Sequence, residues 1–239
     1  MLSTAYTYLK HFNPSADVRL FGQELMGPSY AVGLAEMLIK GQNAENFRRA
    51  DTLQKDCFPN TKMRFMLENP PFGTPWSGES TKAGQENSVR SEHSKGMNGR
   101  WGAGLPGGGD AQLLFMQSAV AKMDDELGRA TIISNGSPLF TGGTASGESQ
   151  IRRWLLENDL IEAIIQLPTD SFYNTGIATY IWLLSKNKRE ETYSPNYEYT
   201  NYDEEGRLLR QHGRVEYLTT QKYIHELLGD SKKKILEVG

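Results

Sequence analysis

The chain of 239 residues has one cysteine, no long apolar run and almost balanced charge. Cys57 alone can form neither an internal disulfide nor a cysteine metal cluster, which suits the reducing cytoplasm where we expect the protein to reside. No apolar run reaches the length of a membrane span, so no membrane partner is expected. The four histidines show no metal-ligand spacing, which predicts no metal site. The net charge of −3 gives no overall attraction to polyanions.

Strand and helix patterns alternate along the chain. Residues 18–24 read as a buried strand, and Gly27 and Pro28 then open a helix that closes at Gly41. The apolar residues spaced for one buried face of this helix are Ala31, Leu34, Ala35 and Leu38. Strands that alternate with amphipathic helices predict an α/β fold with a mainly parallel sheet and helices on both faces.

Residues 73–109 break this pattern, because Gly, Ser, Asn, Lys, Glu and Pro dominate there. We expect a long loop over this stretch. Gly102–Gly107 formally matches G-x-G-x-x-G, but no strand precedes it, and it is interpreted as a mobile loop. Asp110 is the predicted N-cap of the next helix, which carries on one side Leu113, Gln117, Val120 and Leu127. We therefore expect one domain over residues 1–188, with residues 189–239 as a C-terminal extension.

The most informative segment is Asn69-Pro70-Pro71-Phe72, which follows the apolar run 63–67. Prolines fix φ and donate no hydrogen bond, so the carbonyls of Asn69 and Pro70 stay free and rigidly aimed. The Asn69 side chain adds an acceptor, and Phe72 offers a flat face for stacking. Together these features predict a site for a planar ring that carries an exocyclic amine.

Three consecutive predicted strands end in polar residues, namely Glu24, Asp51 and Asn69. In an open parallel sheet, ligands bind beyond the carboxyl ends of the strands. A carboxylate after the second strand can accept from both hydroxyls of a ribose, and Asp51 can accept from the amino group of an adenine. Either acid could instead be an ordinary solvated surface residue.

Several segments stand in the order seen in modification subunits of type I restriction–modification systems. They are 22–24, 50–53, 69–73, 110–127, 128–133, 167–172 and 174–179. Over roughly residues 1–188 the chain resembles the central and C-terminal parts of their adenine-N6 DNA methyltransferase domain. The resemblance implies a Rossmann-like sheet that uses S-adenosylmethionine.

The resemblance also implies roles for individual residues. Catalysis would rest on Asn69, Pro70, Pro71 and Phe72, with a flipped-out adenine stacked on Phe72. Glu24 would hold the cofactor ribose and Asp51 its adenine, and Thr52 and Asn69 would complete the cofactor site. Phe172 and Tyr173 would form an aromatic wall around the base, although both could equally be core residues. The implied partners are DNA, a specificity subunit and a restriction subunit.

In the family, a strand and a Gly-rich turn precede the helix that opens this chain. We therefore expect the sheet to lack its first strand and the chain to be a truncated piece with doubtful activity by itself. Two alternatives remain open at this point. One is a non-catalytic fragment that only contacts subunits or DNA. The other is methylation of a protein glutamine amide, where the ring after the prolines is usually tyrosine.

Overall fold

The computed structural model describes residues 1–172 and 176–188. The chain divides into two compact units. The first unit contains Met1–Thr61 and Trp76–Glu92, and the second contains Lys62–Pro75 and the described residues from His93 to Lys188. The predicted extension at 189–239 lies outside the described residues, and the expected loss of an upstream strand stays a prediction.

The first unit contains a two-stranded parallel sheet and three helices. Its elements are α1 (Leu2–Phe12), β1 (Gly22–Glu24), α2 (Gly27–Ile39), β2 (Phe47–Arg49) and most of α3 (Gln85–Ser94). Gly22 pairs with Phe47 and Glu24 with Arg49, so the two strands end side by side. The carboxyl ends of β1 and β2 therefore lie at the same edge.

The predicted ends of α2 are confirmed. Pro28 stands in its first turn, where a missing N–H costs nothing. At the other end Gly41 has φ of 65°. Its N–H donates to the Leu38 carbonyl, and the Gln42 N–H donates to the Met37 carbonyl. This pair of backbone hydrogen bonds is the Schellman motif, which favours glycine at the left-handed position.

The predicted buried face of α2 is wrong. Ala31, Ala35 and Leu38 are exposed, whereas Met37 is buried. The cause is close contact at Gly33, where an added Cβ would meet the ring of Phe47. Because that ring also stacks on Tyr30, the helix turns its glycine toward β2 and its apolar stripe outward.

The second unit is built on a four-stranded sheet with the order β3-β4-β6-β5. Its elements are β3 (Phe65–Glu68), α4 (Gln112–Lys122), β4 (Arg129–Asn135), α5 (Ser137–Phe140), α6 (Gly147–Glu157), β5 (Ile161–Leu167) and β6 (Thr179–Ser185). β3 and β4 are parallel, whereas β6 is antiparallel to both β4 and β5. The α/β class is confirmed, with three strands in one direction and β6 inserted in the other.

Helices α4 and α6 contact each other and enclose the core of the second unit. Residues from α4, α6, β4 and β6 form this cluster, which includes Met116, Ile132, Ile151, Leu155, Trp182 and Leu184. Alternating residues of β4 are buried, as expected for a strand with one covered face. The predicted α4 face is buried at Leu113, Gln117 and Val120, but Leu127 lies beyond the helix and is exposed.

The prediction of a long loop over residues 73–109 is wrong for its middle part, because α3 forms there. Buried side chains in α3 are only Gln85 and Val89, so the sequence carries no apolar periodicity. An ion pair between Glu86 and Arg90, one turn apart, supports the helix.

The expected mobile loop at Gly102–Gly107 is also contradicted. Gly104 and Pro106 are buried, and the Gly104 carbonyl accepts from Gln117 Nε2 at 3.0 Å. The Gly107 N–H donates to Glu148 Oε1 at 2.6 Å. The glycines of this segment therefore allow close backbone packing within the second unit.

Candidate functional site

The segment Asn69–Phe72 leaves the carboxyl end of β3 in the second unit. Asn69 is exposed, Pro70 is buried and Phe72 is half-buried. Within residues 1–172 and 176–188, the Asn69 side-chain amide and the Pro70 carbonyl have no hydrogen-bond partner. The prolines fix the backbone that carries these acceptors and, having no N–H, donate no hydrogen bond to them. The segment therefore offers two oxygens to an external donor.

The loop after Phe72 is attached to the start of α4. Gly73 has φ of 61°, a left-handed conformation that glycine adopts without strain. Next to it, the Thr74 carbonyl accepts from the Ala111 N–H at 2.9 Å. The exit from β3 is thus fixed at both ends.

Gln112 connects the same end of α4 to the last residue of β4. Its Nε2 donates to Asn135 Oδ1 at 2.9 Å and to Asp110 Oδ2 at 2.8 Å. Its Oε1 accepts from the Asn135 backbone N–H at 3.0 Å. The Gln112 side chain is almost fully buried, with 1% exposure. No local sequence pattern predicts this network.

Glu68 directly precedes Asn69 and was also missed. Its Oε2 atom is inaccessible and has no hydrogen-bond partner within the described part of the chain. Burial disfavours the charged form and raises the pKa of Glu68 from 4.5 to about 8. A carboxyl with no partner beside a candidate catalytic segment is a signal that only the folded structure reveals.

The aromatic wall expected at residues 172–173 is only partly described. Phe172 is half-buried and follows the carboxyl end of β5, whereas Tyr173 lies outside the described residues. β5 runs in the same direction as β3, so Phe172 and Phe72 leave the sheet at the same edge. Since two strands separate β5 from β3, the strands are about 14 Å apart.

The acids predicted to hold a cofactor lie together in the first unit. Glu24 is the last residue of β1, and its Oε1 accepts from the Met26 N–H at 2.7 Å. Asp51 follows β2 by two residues, and its Oδ1 accepts from the Leu53 N–H at 2.9 Å. Among the residues that the structure describes, none donates a hydrogen bond to the buried Asp51 Oδ2, and Lys82 Nζ lies 4.0 Å from it.

Thr52 is held by Gln23, a residue to which the sequence analysis gave no role. Gln23 Nε2 donates to Thr52 Oγ1 at 3.3 Å, and Gln23 Oε1 accepts from the Cys57 N–H at 2.7 Å. Gln23 therefore orders the loop that carries Asp51 and Thr52.

The unsatisfied Asp51 oxygen fits the group that the family resemblance implies. A buried carboxylate oxygen without a donor has an unmet hydrogen bond, which an amino group can supply. The neighbouring Glu24 can accept from paired hydroxyls. An amino group and paired hydroxyls are the donors that the adenosine part of a nucleoside cofactor carries. The acceptors Asp51 and Glu24 are therefore compatible with such a cofactor.

Two classes of site are not seen in the part of the chain that the structure describes. No group of three His, Cys, Asp or Glu residues there is arranged to hold a metal ion. No helix among the same residues has the length and apolarity to cross a membrane.

Comparisons with known proteins identify similar chains. The chain is 26% identical over 183 residues to the type I restriction enzyme HindI methylase subunit of Haemophilus influenzae, covering 73% of this chain and 36% of that protein. It is 28% identical over 181 residues to the MpnII methylase subunit of Mycoplasma pneumoniae, covering 72% of this chain and 31% of that protein. The chain thus spans about a third of the length of these relatives.

A solved structure supports the same relationship. The methyltransferase subunit of a type I restriction–modification system from Streptococcus thermophilus superposes with a TM-score of 0.64 and 27% identity. The match covers 79% of this chain and 38% of that one. The family model described as N-6 DNA Methylase matches residues 1–226, which is most of the sequence. The chain therefore belongs to the N-6 DNA methylase family.

Proposed function

We propose that the chain contributes the methyl-transfer residues of a DNA methyltransferase that modifies adenine N6. The observation that carries the proposal is the pair of uncommitted acceptors, the Asn69 amide oxygen and the Pro70 carbonyl. Membership of the N-6 DNA methylase family supports it. The similar proteins are named as methylase subunits of type I restriction enzymes.

The proposed cofactor is S-adenosylmethionine, which supplies an electrophilic methyl group on its sulfonium. Glu24 would accept from the ribose hydroxyls, and Asp51 Oδ2 would accept from the cofactor adenine amino group. Thr52, held by Gln23, would keep the Asp51 loop in place. Asn69 was also predicted for this site; it lies in the second unit, and its assignment stays a prediction. The buried, unsatisfied Asp51 oxygen is the support for these assignments.

The target adenine would leave the duplex and stack on Phe72. Its N6 amino group would donate one hydrogen bond to Asn69 Oδ1 and one to the Pro70 carbonyl. These bonds favour a more tetrahedral nitrogen, so the lone pair becomes available to attack carbon. As the new N–C bond forms, the bond from that carbon to the sulfonium sulfur would break with its electron pair remaining on sulfur. S-adenosylhomocysteine would leave, and the nitrogen would give up one proton to water. Pro71 would contribute by fixing the backbone that aims both acceptors.

The proposed partners follow from the same relationship. DNA would be the substrate, and a specificity subunit and a restriction subunit would complete a type I complex. Phe172 and Tyr173 would form an aromatic wall of the pocket for the flipped base. This assignment is supported by the position of Phe172 at the sheet edge where β3 also ends.

The test is methylation of duplex DNA by the complex that contains Asn69→Ala. We expect the turnover rate to fall by about 100-fold or more, because a preorganised acceptor at the reacting nitrogen is lost. Affinity for S-adenosylmethionine, measured by calorimetry, should change by less than about threefold, because Glu24 and Asp51 would make the main contacts to the cofactor.

Asn187→Ala is the matched control, since Asn187 is an exposed asparagine in the same unit. It should leave both quantities unchanged. Equal loss of methylation and cofactor affinity in Asn69→Ala would point to misfolding. A wild-type complex without cofactor affinity would favour a non-catalytic fragment.

A further inference from the structure

Asn135 is the last residue of β4, the strand next to β3. In the parallel register Glu68 pairs with Ile132, so Asn69 lies one residue beyond this pair and Asn135 lies three residues beyond it. With a rise of about 3.3 Å per residue and a strand spacing of about 4.8 Å, their Cα atoms are about 8 Å apart. Two asparagines therefore flank the space at one sheet edge.

The orientation of the Asn135 amide is determined by its neighbours. Its Oδ1 accepts from Gln112 Nε2 and from the Ser137 N–H, both at 2.9 Å. A backbone N–H can only donate, so the oxygen must face Ser137 and the Nδ2 group must face away. Within residues 1–172 and 176–188, Asn135 Nδ2 donates to no partner. A half-buried amide thus keeps a fixed and unused donor.

The start of α4 holds this donor and the catalytic loop together. Ala111 donates to the Thr74 carbonyl behind Phe72, and the adjacent Gln112 holds Asn135. One rigid helix end therefore sets the position of Asn135 relative to the loop that carries Asn69 and Pro70. This is the arrangement expected of two groups that contact one ligand.

We propose that Asn135 Nδ2 donates a hydrogen bond to ring N1 of the target adenine and so helps to select the base. The inference rests on the proposed function of Asn69 and Pro70. Adenine presents its N6 amino group beside the unprotonated ring N1. The acceptors Asn69 Oδ1 and the Pro70 carbonyl match the amino group, and the donor Asn135 Nδ2 matches N1. Guanine and thymine present a carbonyl beside a ring N–H, which places like groups against one another. Such a contact accounts for about 10- to 100-fold discrimination against guanine and thymine.

The test compares adenine with 1-deazaadenine, which keeps the amino group but has C–H in place of N1. Each base stands at the target position opposite an abasic site, so neither base has a pairing partner to lose when it flips out. For the wild-type complex, we expect kcat/KM to be about tenfold higher with adenine. With 7-deazaadenine, which keeps N1, the value should match that of adenine.

Asn135→Asp keeps the Oδ1 acceptor for Ser137 and Gln112 but removes the donor. In this variant the preference for adenine over 1-deazaadenine should fall below about twofold. Asn135→Ser, whose hydroxyl can still accept from the Ser137 N–H, should show the same loss of preference as Asn135→Asp. The exposed Asn187→Asp is the matched control and should keep the wild-type preference.

Unchanged preference in both folded Asn135 variants would show that Asn135 is only a structural amide, and the inference would be wrong. A wild-type complex that methylates 1-deazaadenine as fast as adenine would overturn it without any variant. A wild-type complex that transfers no methyl group to adenine would instead overturn the proposed function, and this inference with it.

Discussion

Glu68 buries a carboxyl group at a cost in folding free energy that the sequence does not reveal. It ends β3 on the same side of the strand as Met66, which packs against the core. The carboxyl keeps its proton at neutral pH because burial raises its pKa to about 8. A protonated side chain beside Asn69 adds no negative charge near the acceptors proposed to bind the target amine.

The unfolding free energy should therefore depend on Glu68. Between pH 4.5 and about 8 the folded protein holds a proton that the unfolded chain has lost. Stability accordingly falls as pH rises through this window. Glu68→Gln removes the penalty, so we expect it to stabilise the protein by about 2 kcal/mol at pH 8 and to have little effect at pH 4.5.

Urea unfolding followed by tryptophan fluorescence at both pH values measures the effect, since Trp101 and Trp182 are fully buried in the same unit. Glu126→Gln, at an exposed position, is the matched control and should show no such pH-dependent gain. A Glu68→Gln variant that is equally destabilised at both pH values would mean that the carboxyl makes a favourable contact in the folded state.

Local signals predicted the residues whose chemistry depends on their immediate neighbours. Asn69–Phe72 could be placed at a strand end because prolines and a preceding apolar run are contiguous in the sequence. Gln112 and Asn135 could not be found this way, because they are 23 residues apart and meet only when α4 packs on the sheet. The roles of the predicted residues remain predictions.

At the scale of elements, two glycine-rich segments in the second unit pack closely together. Gly147 begins α6, and a Cβ added there would overlap the carbonyl oxygen of Leu105. Gly143 lies in the loop before α6, where an added Cβ would meet nothing within 4 Å. The two glycines look alike in sequence, but only Gly147 is required by a backbone contact.

Gly147→Ala should destabilise the protein by about 2–3 kcal/mol, because the start of α6 must move away from Leu105. Gly143→Ala is the matched control and should change stability by less than about 0.5 kcal/mol. Thermal unfolding monitored by circular dichroism measures both. Similar stability of the two variants would show that the contact relaxes without cost.

The ends of α2 were predictable because Pro28 and Gly41 act through local backbone geometry. Its buried face was not, because Gly33 and Tyr30 contact the Phe47 ring in place of the predicted alanines and leucines. The polar helix α3 was missed for a related reason. It buries a single apolar residue, Val89, and periodicity cannot detect one residue.

At the scale of the whole molecule, charge and length bear on DNA binding. The chain has a net charge of −3 and spans about a third of the relatives it matches. Since phosphate contacts by basic residues supply most non-specific affinity, we expect weak binding by this chain alone, with Kd above about 10⁻⁴ M at physiological salt.

Fluorescence anisotropy with labelled duplex DNA, without and with a type I specificity subunit, tests this expectation. Binding should appear only with the specificity subunit and should weaken as salt increases. Micromolar binding by the isolated chain with a steep salt dependence would locate a DNA-binding surface on this polypeptide.

The antiparallel strand β6 imposes an order on biosynthesis. β6 is the last strand in the described sequence, yet it lies between β4 and β5 and makes the ladders that join them. As the chain leaves the ribosome, β5 has no place to dock until Thr179–Ser185 has emerged. A nascent chain that stalls before this segment emerges would expose the open side of β4 and the whole of β5, so emergence of Thr179–Ser185 is the step that covers these aggregation-prone edges.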